Sequence, residues 1–416
     1  MKITQLLNSK LLKTFAFVAI LFSYSACTSD DDTAHEEPIT EIDPPIVIDC
    51  QYFNNHPNAI LEDNPYAPVD YLVICNGTSI PDDVTIEPGV TIAFETDASF
   101  WVREEGSLKA VGTASQPITF TGVDKAMGSW AGIYFGSNDS KNEIKYALIE
   151  YGGGSASAWS SSEKGGVVIG ANSSLKFSNN TVQHCKAWGV NLYYNANETL
   201  TSIDNNTFIK NEIPVRISSP MVDVLKGNND YMENQVNKIE IKTDYPIEGN
   251  KTLRKATVPY WVKDYNNAGF RVGNGKLTIE PGTRIEMDNN TWFSVGANGA
   301  LKIVGTSSEK ISITGVAQVA GGWGNIRFSE STSSENQIQH AIIKHAGAGA
   351  HSSSNIHVRG AVYIGYDSTL AMSDILFEDI QSCVLFSDQF GIDNVNIGSG
   401  ITSNNTNTIG LDDCLL

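Results

Sequence analysis

The stretch that decides the fold occurs twice: Thr85-Ile86-Glu87-Pro88-Gly89 returns 193 positions later as Thr278-Ile279-Glu280-Pro281-Gly282. The same offset aligns GSLKAVGT at residues 106–113 with GALKIVGT at residues 299–306, and ITFTG at residues 118–122 with ISITG at residues 311–315. Agreement over three separated segments indicates an internal duplication. We therefore predict two diverged copies of one module in this chain of 416 residues.

Within each copy, short β-branched segments recur roughly every 20 residues, separated by Gly, Asn, Asp or Ser turns. Corners such as Asn179-Asn180 and Asn205-Asn206 suit sharp turns, because Asn tolerates the left-handed backbone conformation. The pattern favours an all-β solenoid whose successive strands lie side by side about 4.8 Å apart. A pair of antiparallel β-sandwiches is the alternative, although the Asn-Gly turns typical of hairpins are scarce.

The segments TIEPG, GSLKAVGT and ITFTG, followed by Trp130-Ala131-Gly132-Ile133, resemble right-handed parallel β-helix proteins of the pectate-lyase-like superfamily, and among them surface lipoproteins. The resemblance covers residues 60–416. It implies an all-β fold, a right-handed parallel β-helix (solenoid) made of two duplicated modules. The same scaffold carries lyases, hydrolases, adhesins and binding proteins, so the resemblance says little about activity.

The N-terminal segment is predicted to direct export. Lys2, Lys10 and Lys13 precede an apolar run at residues 15–22, which is far shorter than the roughly 20 residues that cross a bilayer. Residues 24–27, Tyr-Ser-Ala-Cys, resemble the lipobox of bacterial lipoproteins. This implies a signal peptide at residues 1–26 and lipid attachment to Cys27.

An acidic tether is predicted after the lipid site. Residues 27–48 are rich in Asp, Glu, Thr and Pro, which is typical of a disordered segment. Their Ser-Asp-Asp-Asp run resembles the signal that places lipoproteins on the outer face of the outer membrane in one group of Gram-negative bacteria. We expect a protein anchored by lipid alone and facing the cell exterior, with β-helix copy one at residues 49–222, a connector at 223–250 and copy two at 251–416.

The net charge of the chain argues against nucleic acid as a partner. The formal net charge is −19, so the overall field repels nucleic acid and anionic membrane surfaces. No cofactor and no metal-ligand set are predicted. Ca²⁺ is the one ion that could join an acidic surface to an anionic glycan, since it prefers oxygen ligands, but no compact Asp-rich calcium loop is visible.

The cysteines fit an oxidising compartment. Cys50 and Cys75 flank the start of the folded part and could close one disulfide. Cys185 and Cys383 sit within apolar runs, so we expect both to pack as small hydrophobic side chains. Cys414, near the end of the chain, could pair with any exposed partner.

The candidate site comes from the differences between the copies, because shared residues such as Trp130 and Trp323 are expected to be architectural. Copy two gathers the basic residues Arg327, His340, Lys344 and Arg359. If Ile326, Phe328, Ala341 and Ile343 point inward, then Arg327, His340 and Lys344 point outward. At three matching places copy one carries Tyr134, Tyr146 and Glu150, and the aromatic rings of the two tyrosines suit sugar stacking.

Three functions fit these residues. The leading hypothesis is a non-catalytic surface protein that binds a polysaccharide, or another cell-surface partner, through the basic residues of copy two and the aromatic residues of copy one. The second is a polysaccharide lyase, in which Arg327, His340 or Lys344 removes a proton α to a uronate carboxylate, as the resemblance implies. The third is a structural or adhesive role, in which these side chains are ordinary solvated residues.

Overall fold

Alternation of aliphatic and polar residues makes the strands of this protein. In the segment Ile118–Gly122, Ile118 and Phe120 are fully buried while Thr119 between them is partly exposed. The computed structural model describes residues 42–155, 163–193, 200–263, 265, 269–348, 360–381, 383–387 and 394–404. The predicted signal peptide, Cys27 and Arg359 lie outside the described residues.

The first half of the chain forms two sheets of seven parallel strands each. Sheet A holds β1 (Ile46–Ile48), β3 (Tyr71–Val73), β6 (Thr91–Phe94), β9 (Ile118–Gly122), β12 (Ala147–Glu150), β15 (Thr181–Gln183) and β18 (Thr207–Ile209). Sheet B holds β2 (Ile60–Leu61), β5 (Asp83–Ile86), β8 (Ser107–Val111), β11 (Glu143–Lys145), β14 (Lys176–Ser178), β17 (Ser202–Asp204) and β20 (Leu225–Lys226).

Sheet C runs through both halves of the chain. Its first strands are β4 (Thr78–Ile80), β7 (Ser99–Val102), β10 (Gly132–Phe135), β13 (Val167–Ile169), β16 (Trp188–Leu192) and β19 (Ile213–Ser218). It continues through β21 (Ile239–Lys242), β24 (Tyr260–Lys263), β26 (Arg284–Met287) and β28 (Ile311–Gly315). It ends with the second parts of β30 (Gln337–Lys344) and β32 (Leu370–Glu378), and with β35 (Thr402–Ser403).

Two further stacks complete the second half. Sheet D holds β22 (Ile247–Glu248), the first parts of β25 (Phe270–Ile279) and β27 (Phe293–Val304), β29 (Ile326–Phe328), β31 (Val362–Ile364) and β33 (Leu385–Ser387). Sheet E holds β23 (Lys251–Leu253), the second parts of β25 and β27, the first parts of β30 and β32, and β34 (Val395–Ile397). The helices of the described chain are α1 (Tyr52–Asn55) and a 3₁₀ turn, η1 (Ser219–Met221).

All pairings between the described strands are parallel, so the prediction of an all-β fold with stacked parallel strands is confirmed. The alternative of antiparallel β-sandwiches is wrong, because the described strands form no hairpin pairs. In the first half the chain visits sheets A, C and B in turn and then returns to sheet A. This succession is compatible with a parallel β-helix.

Buried side chains from all the sheets form one continuous apolar core. Trp130 and Trp323 are both fully buried, as predicted from their presence in both copies. The Trp130 indole Nε1 donates to the Glu150 carbonyl at 2.8 Å, and that of Trp323 donates to the Lys344 carbonyl at 2.7 Å. Matching bonds at matching positions support an architectural role for both tryptophans.

Corners between sheets depend on left-handed residues and buried asparagines. Asn179 and Asn205 have φ of 57° and 54°, which confirms the prediction for these turns. The next residue in each corner, Asn180 or Asn206, is buried, and its side chain bonds the backbone of neighbouring layers. Asn180 Nδ2 also donates to Asn206 Oδ1 at 3.1 Å. These ladders satisfy backbone groups that a sharp corner would otherwise leave unpaired.

The two predicted copies do not repeat on the same sheets. By the 193-residue offset β9 corresponds to β28, yet β9 lies in sheet A and β28 lies in sheet C. Likewise β10 of sheet C corresponds to β29 of sheet D. Sheet C itself is continuous, because β19 pairs with β21 and β21 pairs with β24. Residues that are equivalent in sequence therefore lie on different sheets.

Two predicted boundaries change. The last residues of the tether, 46–48, form β1 and pair with β3, so the strands begin earlier than expected. Residues 223–250, predicted to be a connector, contain β20, β21 and β22 and belong to the stacked sheets. The weak periodicity of this segment reflects very short strands, which carry too few residues for alternation to show.

The cysteines follow the expectation with one exception. Cys50 and Cys75 form a disulfide with Cα atoms 5.4 Å apart. Cys185 is a free, buried thiol, and burial raises its pKa to about 12. Cys383 is disulfide-bonded, so the prediction that it packs as a free hydrophobic side chain is wrong. An apolar sequence neighbourhood does not report the distance to another cysteine.

Candidate functional site

A trench crosses sheet D and contains Arg327, the residue that heads the predicted basic set. This Arg327 cleft has a volume of about 510 Å³ and is lined by residues of four successive chain layers, from Pro246 to Ser329. It therefore runs across the strands, along the direction in which they stack. Its lining includes Arg271, Gly273, Trp292, Ser294, Gly296 and Arg327.

Strand register places two arginines in one outward row of the cleft. Arg271 of β25 pairs with Ser294 of β27, and Ser294 pairs with Arg327 of β29. The residues on either side of Arg327, Ile326 and Phe328, are fully buried, which confirms its predicted outward direction. The row continues to Tyr363 of β31.

Arg327 is partly buried without a negative partner. Its Nε donates to Asn325 Oδ1 at 3.3 Å, and its Cζ lies 5.3 Å from the centre of the Trp292 ring. Loss of hydration lowers the pKa of the guanidinium. Within the described part of the chain, neither Arg327 nor Arg271 forms an ion pair with a carboxylate. A guanidinium held this way is poised for an anion, because a buried charge is stable only when it is compensated.

Asn325 shapes the setting of Arg327. It is fully buried, and with Oδ1 turned to Arg327 its Nδ2 has no hydrogen-bond partner. Leaving a buried amide donor unpaired costs about 1–3 kcal/mol. By the 193-residue offset copy one has Gly132 at this position and Tyr134 in place of Arg327. The aligned segment of the first half therefore has no such Asn-Arg pair.

The two glycines of the cleft differ in their surroundings, because Gly296 leaves open space whereas the Glu248 side chain lies directly above Gly273. Gly273 and Gly296 lie beside the arginine row in consecutive strands. A Cβ placed on Gly296 would meet its nearest atoms, two backbone oxygens, at 3.8 Å, which is ordinary van der Waals contact. Space therefore exists above this glycine that a larger side chain could fill without disturbing the strands.

The other basic candidates lie elsewhere. Lys344 points outward from sheet C, as predicted, and forms an ion pair with Glu378 in the next strand. His340 occupies a left-handed corner between sheets E and C, with φ of 47°. Arg327 is on sheet D, so the structure does not bring Arg327, His340 and Lys344 into one row. Arg359 is outside the described residues.

The copy-one candidates are spread in the same way. Tyr134 lies on sheet C, and burial raises the pKa of its hydroxyl. Tyr146 holds a left-handed corner with φ of 50°, as His340 does in copy two. Glu150 lies on sheet A, where it accepts hydrogen bonds from Thr121 Oγ1 at 2.8 Å and Gln183 Nε2 at 2.7 Å. These three side chains do not form one surface.

A buried polar network on sheet C was not foreseen. Arg216 points outward yet is only 5% exposed, because it stacks on Trp188 at 3.8 Å and pairs with Glu163. Glu240, in the next strand, is fully buried and accepts hydrogen bonds from Tyr265 and Trp188. Each charge has partners, so the network fastens residues from outside the sheet onto sheet C. Charged residues inside the strand patterns VRI and IEI were its signal in the sequence.

Sequence reasoning also missed Arg271, Trp292 and Asn325. Trp292 and Asn325 differ from Ser99 and Gly132 at the offset positions, so a full comparison of the copies could have found them. Across the residues that the structure covers, no group of His, Cys, Asp and Glu is arranged to hold a metal ion. Nor does the described part contain a helix long and apolar enough to span a bilayer. No protein-family profile, curated protein or solved structure matches this chain.

Proposed function

We propose that this chain is an exported, lipid-anchored protein of the bacterial cell surface that binds an anionic polysaccharide in the Arg327 cleft without catalysis. Its scaffold in this proposal is a right-handed parallel β-helix solenoid made of two duplicated modules, as in the pectate-lyase-like superfamily. The parallel stacking of all described strands supports the scaffold. The repeated segments at residues 85–89 and 278–282 support the duplication.

One observation carries the binding function: Arg327 is partly buried in an open cleft and has no carboxylate partner among the described residues. A sugar carboxylate or sulfate would supply the missing charge through a bidentate hydrogen bond. The Trp292 ring beside Arg327 offers an apolar face for a sugar. Both groups belong to the open surface of the trench, where an extended chain has access.

We prefer binding to β-elimination because the side chains that line the cleft are poor proton acceptors. A lyase needs a base close to the group that neutralises the uronate. Lys344 is held by Glu378 on sheet C, while Arg327 is on sheet D. The lining residues include arginines and no His, Lys, Asp or Glu, and the Glu248 carboxylate lies beside the lining, above Gly273. An arginine keeps its proton at neutral pH, so it suits charge recognition better than proton removal.

Affinity electrophoresis tests the binding function. The probes are hyaluronan, polygalacturonate and neutral dextran, and the protein is residues 27–416 carrying Cys27→Ser. We expect retention by an anionic glycan, and Arg327→Ala should weaken it at least about tenfold, since a charged hydrogen bond contributes about 1.5–3 kcal/mol. Arg103→Ala removes the same charge from an exposed site directly after β7 and should leave retention unchanged.

A steric variant separates the cleft from general electrostatics. Gly296→Leu keeps the net charge and fills the trench, and the open space above Gly296 lets the strands accept it. We expect an unchanged unfolding midpoint in urea and no retention by the glycan. Lack of retention of the parent protein by every anionic polysaccharide would overturn the proposal, and so would retention that survives both Arg327→Ala and Gly296→Leu.

Anchoring is tested separately in cells. Labelled palmitate should enter the full-length protein, and Cys27→Ser should abolish its incorporation. Protease added to intact cells should digest the mature protein if it faces the exterior. Replacement of Asp30, Asp31 and Asp32 by alanine should then protect the protein from protease, because it would stay on the inner face of the outer membrane. Incorporation of label into the Cys27→Ser protein would contradict the assigned lipid site.

A further inference from the structure

The spacing of charge in the Arg327 cleft carries information about its ligand. Arg271 and Arg327 occupy the same outward row, and the uncharged Ser294 lies between them. Adjacent parallel strands are about 4.8 Å apart, so the two arginines are anchored roughly 10 Å apart along the stack. Two cationic positions therefore alternate with a neutral one.

The cleft runs in the same direction as this row. Its lining comes from the layers of β22, β25, β27 and β29, so an extended chain in the trench crosses one strand after another. One strand spacing is comparable to the length of one pyranose unit in an extended glycan. A sugar above Arg271 is then followed by a sugar above Ser294 and a third above Arg327.

The middle position differs from the outer two in chemistry as well as charge. Ser294 is small, and the cleft beside it is lined by Gly296 of the same strand and by Trp292, which directly precedes that strand. An uncharged sugar with a bulky substituent fits this position, because the glycine leaves room and the indole gives an apolar contact. A carboxylate there finds no cationic side chain anchored in its own layer of the cleft lining.

From this arrangement we infer that the cleft selects acidic polysaccharides with one anionic group per disaccharide repeat. The inference rests on the proposed function of the same cleft. It separates such glycans from polyuronates, which carry a charge on every sugar. This preference is the reverse of what a non-specific cationic surface would show, since such a surface favours the higher charge density of a polyuronate.

Competition between two classes of acidic glycan tests the inference. Hyaluronan and heparosan carry a uronate on every second sugar, and polygalacturonate carries one on each. With the parent protein at equal ionic strength, we expect both alternating glycans to bind at least about fivefold more tightly per chain of equal length, a difference of about 1 kcal/mol. Carboxyl-reduced hyaluronan should not bind.

A charge insertion provides the matched variant. Ser294→Arg completes an unbroken row of three arginines, so it should shift the preference to polygalacturonate. Ser115→Arg adds the same charge to an exposed loop and should leave the preference unchanged. Equal binding of all acidic glycans, or a Ser294→Arg protein that still prefers hyaluronan, would overturn this inference while leaving the proposed function intact. Failure to bind any acidic glycan would overturn the proposed function itself.

Discussion

At the scale of single residues, Asn325 shows how the Arg327 cleft differs from the rest of the sheet surface. Its buried Nδ2 has no partner because Oδ1 is turned to Arg327. Copy one, with Gly132 at the offset position, forms its strand without this side chain. The amide is therefore not required for a strand of this module, and we interpret it as a group that positions the guanidinium over Trp292.

Asn325→Asp tests this interpretation. A carboxylate at this place should pair with Arg327 and compete with the ligand. We expect the affinity for hyaluronan to fall at least about tenfold, while the free energy of unfolding in urea stays within about 1 kcal/mol of the parent or rises. Asn325→Gly, the copy-one residue, serves as the control for simple loss of the side chain. A destabilised Asn325→Asp protein with unchanged affinity would contradict a positioning role.

At the scale of elements, the corners matter as much as the strands. Asn206 is 1% exposed, and its Nδ2 donates to the Phe177 carbonyl at 3.0 Å while its Oδ1 accepts from the Asn180 backbone N–H at 3.0 Å. Strand alternation places side chains in or out, but these bonds hold one layer above the next. A sequence reading identified Asn179 and Asn205 as corner residues, because the left-handed preference of Asn is local.

Asn206→Ala should destabilise the protein strongly. It leaves several buried backbone groups without partners, and each such group costs about 1–3 kcal/mol, so we expect a loss of about 2–4 kcal/mol in urea unfolding. Asn228→Ala, at an exposed position of the following layer, is the control and should cost less than about 0.5 kcal/mol. Equal effects of the two changes would show that the buried ladder does not contribute to stability.

At the scale of the whole molecule, the two predicted copies share one continuous sheet. Sheet C passes from β19 through β21 to β24 without a break, and β21 lies in the segment predicted to be a connector. The predicted copies are therefore joined by backbone hydrogen bonds between neighbouring strands as well as by the covalent chain. In repeat proteins whose units contact only their neighbours, removal of a neighbour exposes the apolar interface between them.

Fragments 49–222 and 251–416 should not fold independently. Each lacks β21 and leaves the edge of sheet C open, and open parallel edges promote aggregation. We expect both fragments to be insoluble or to unfold without cooperativity, whereas residues 42–416 should unfold in a cooperative transition followed by circular dichroism. Soluble, monomeric fragments with cooperative transitions would contradict this prediction and favour two autonomous domains.

The sequence by itself determined the strand class, the inward direction of Ile326 and Phe328, the outward direction of Arg327 and the turns at Asn179 and Asn205, because each depends on neighbours close in the chain. Only the tertiary structure decided that Arg271, Ser294 and Arg327 form one row and that Lys344 stands on another sheet. Pairing in parallel sheets depends on the length and path of the chain between strands, which local alternation does not encode. For the same reason, equivalent segments such as β9 and β28 lie on different sheets.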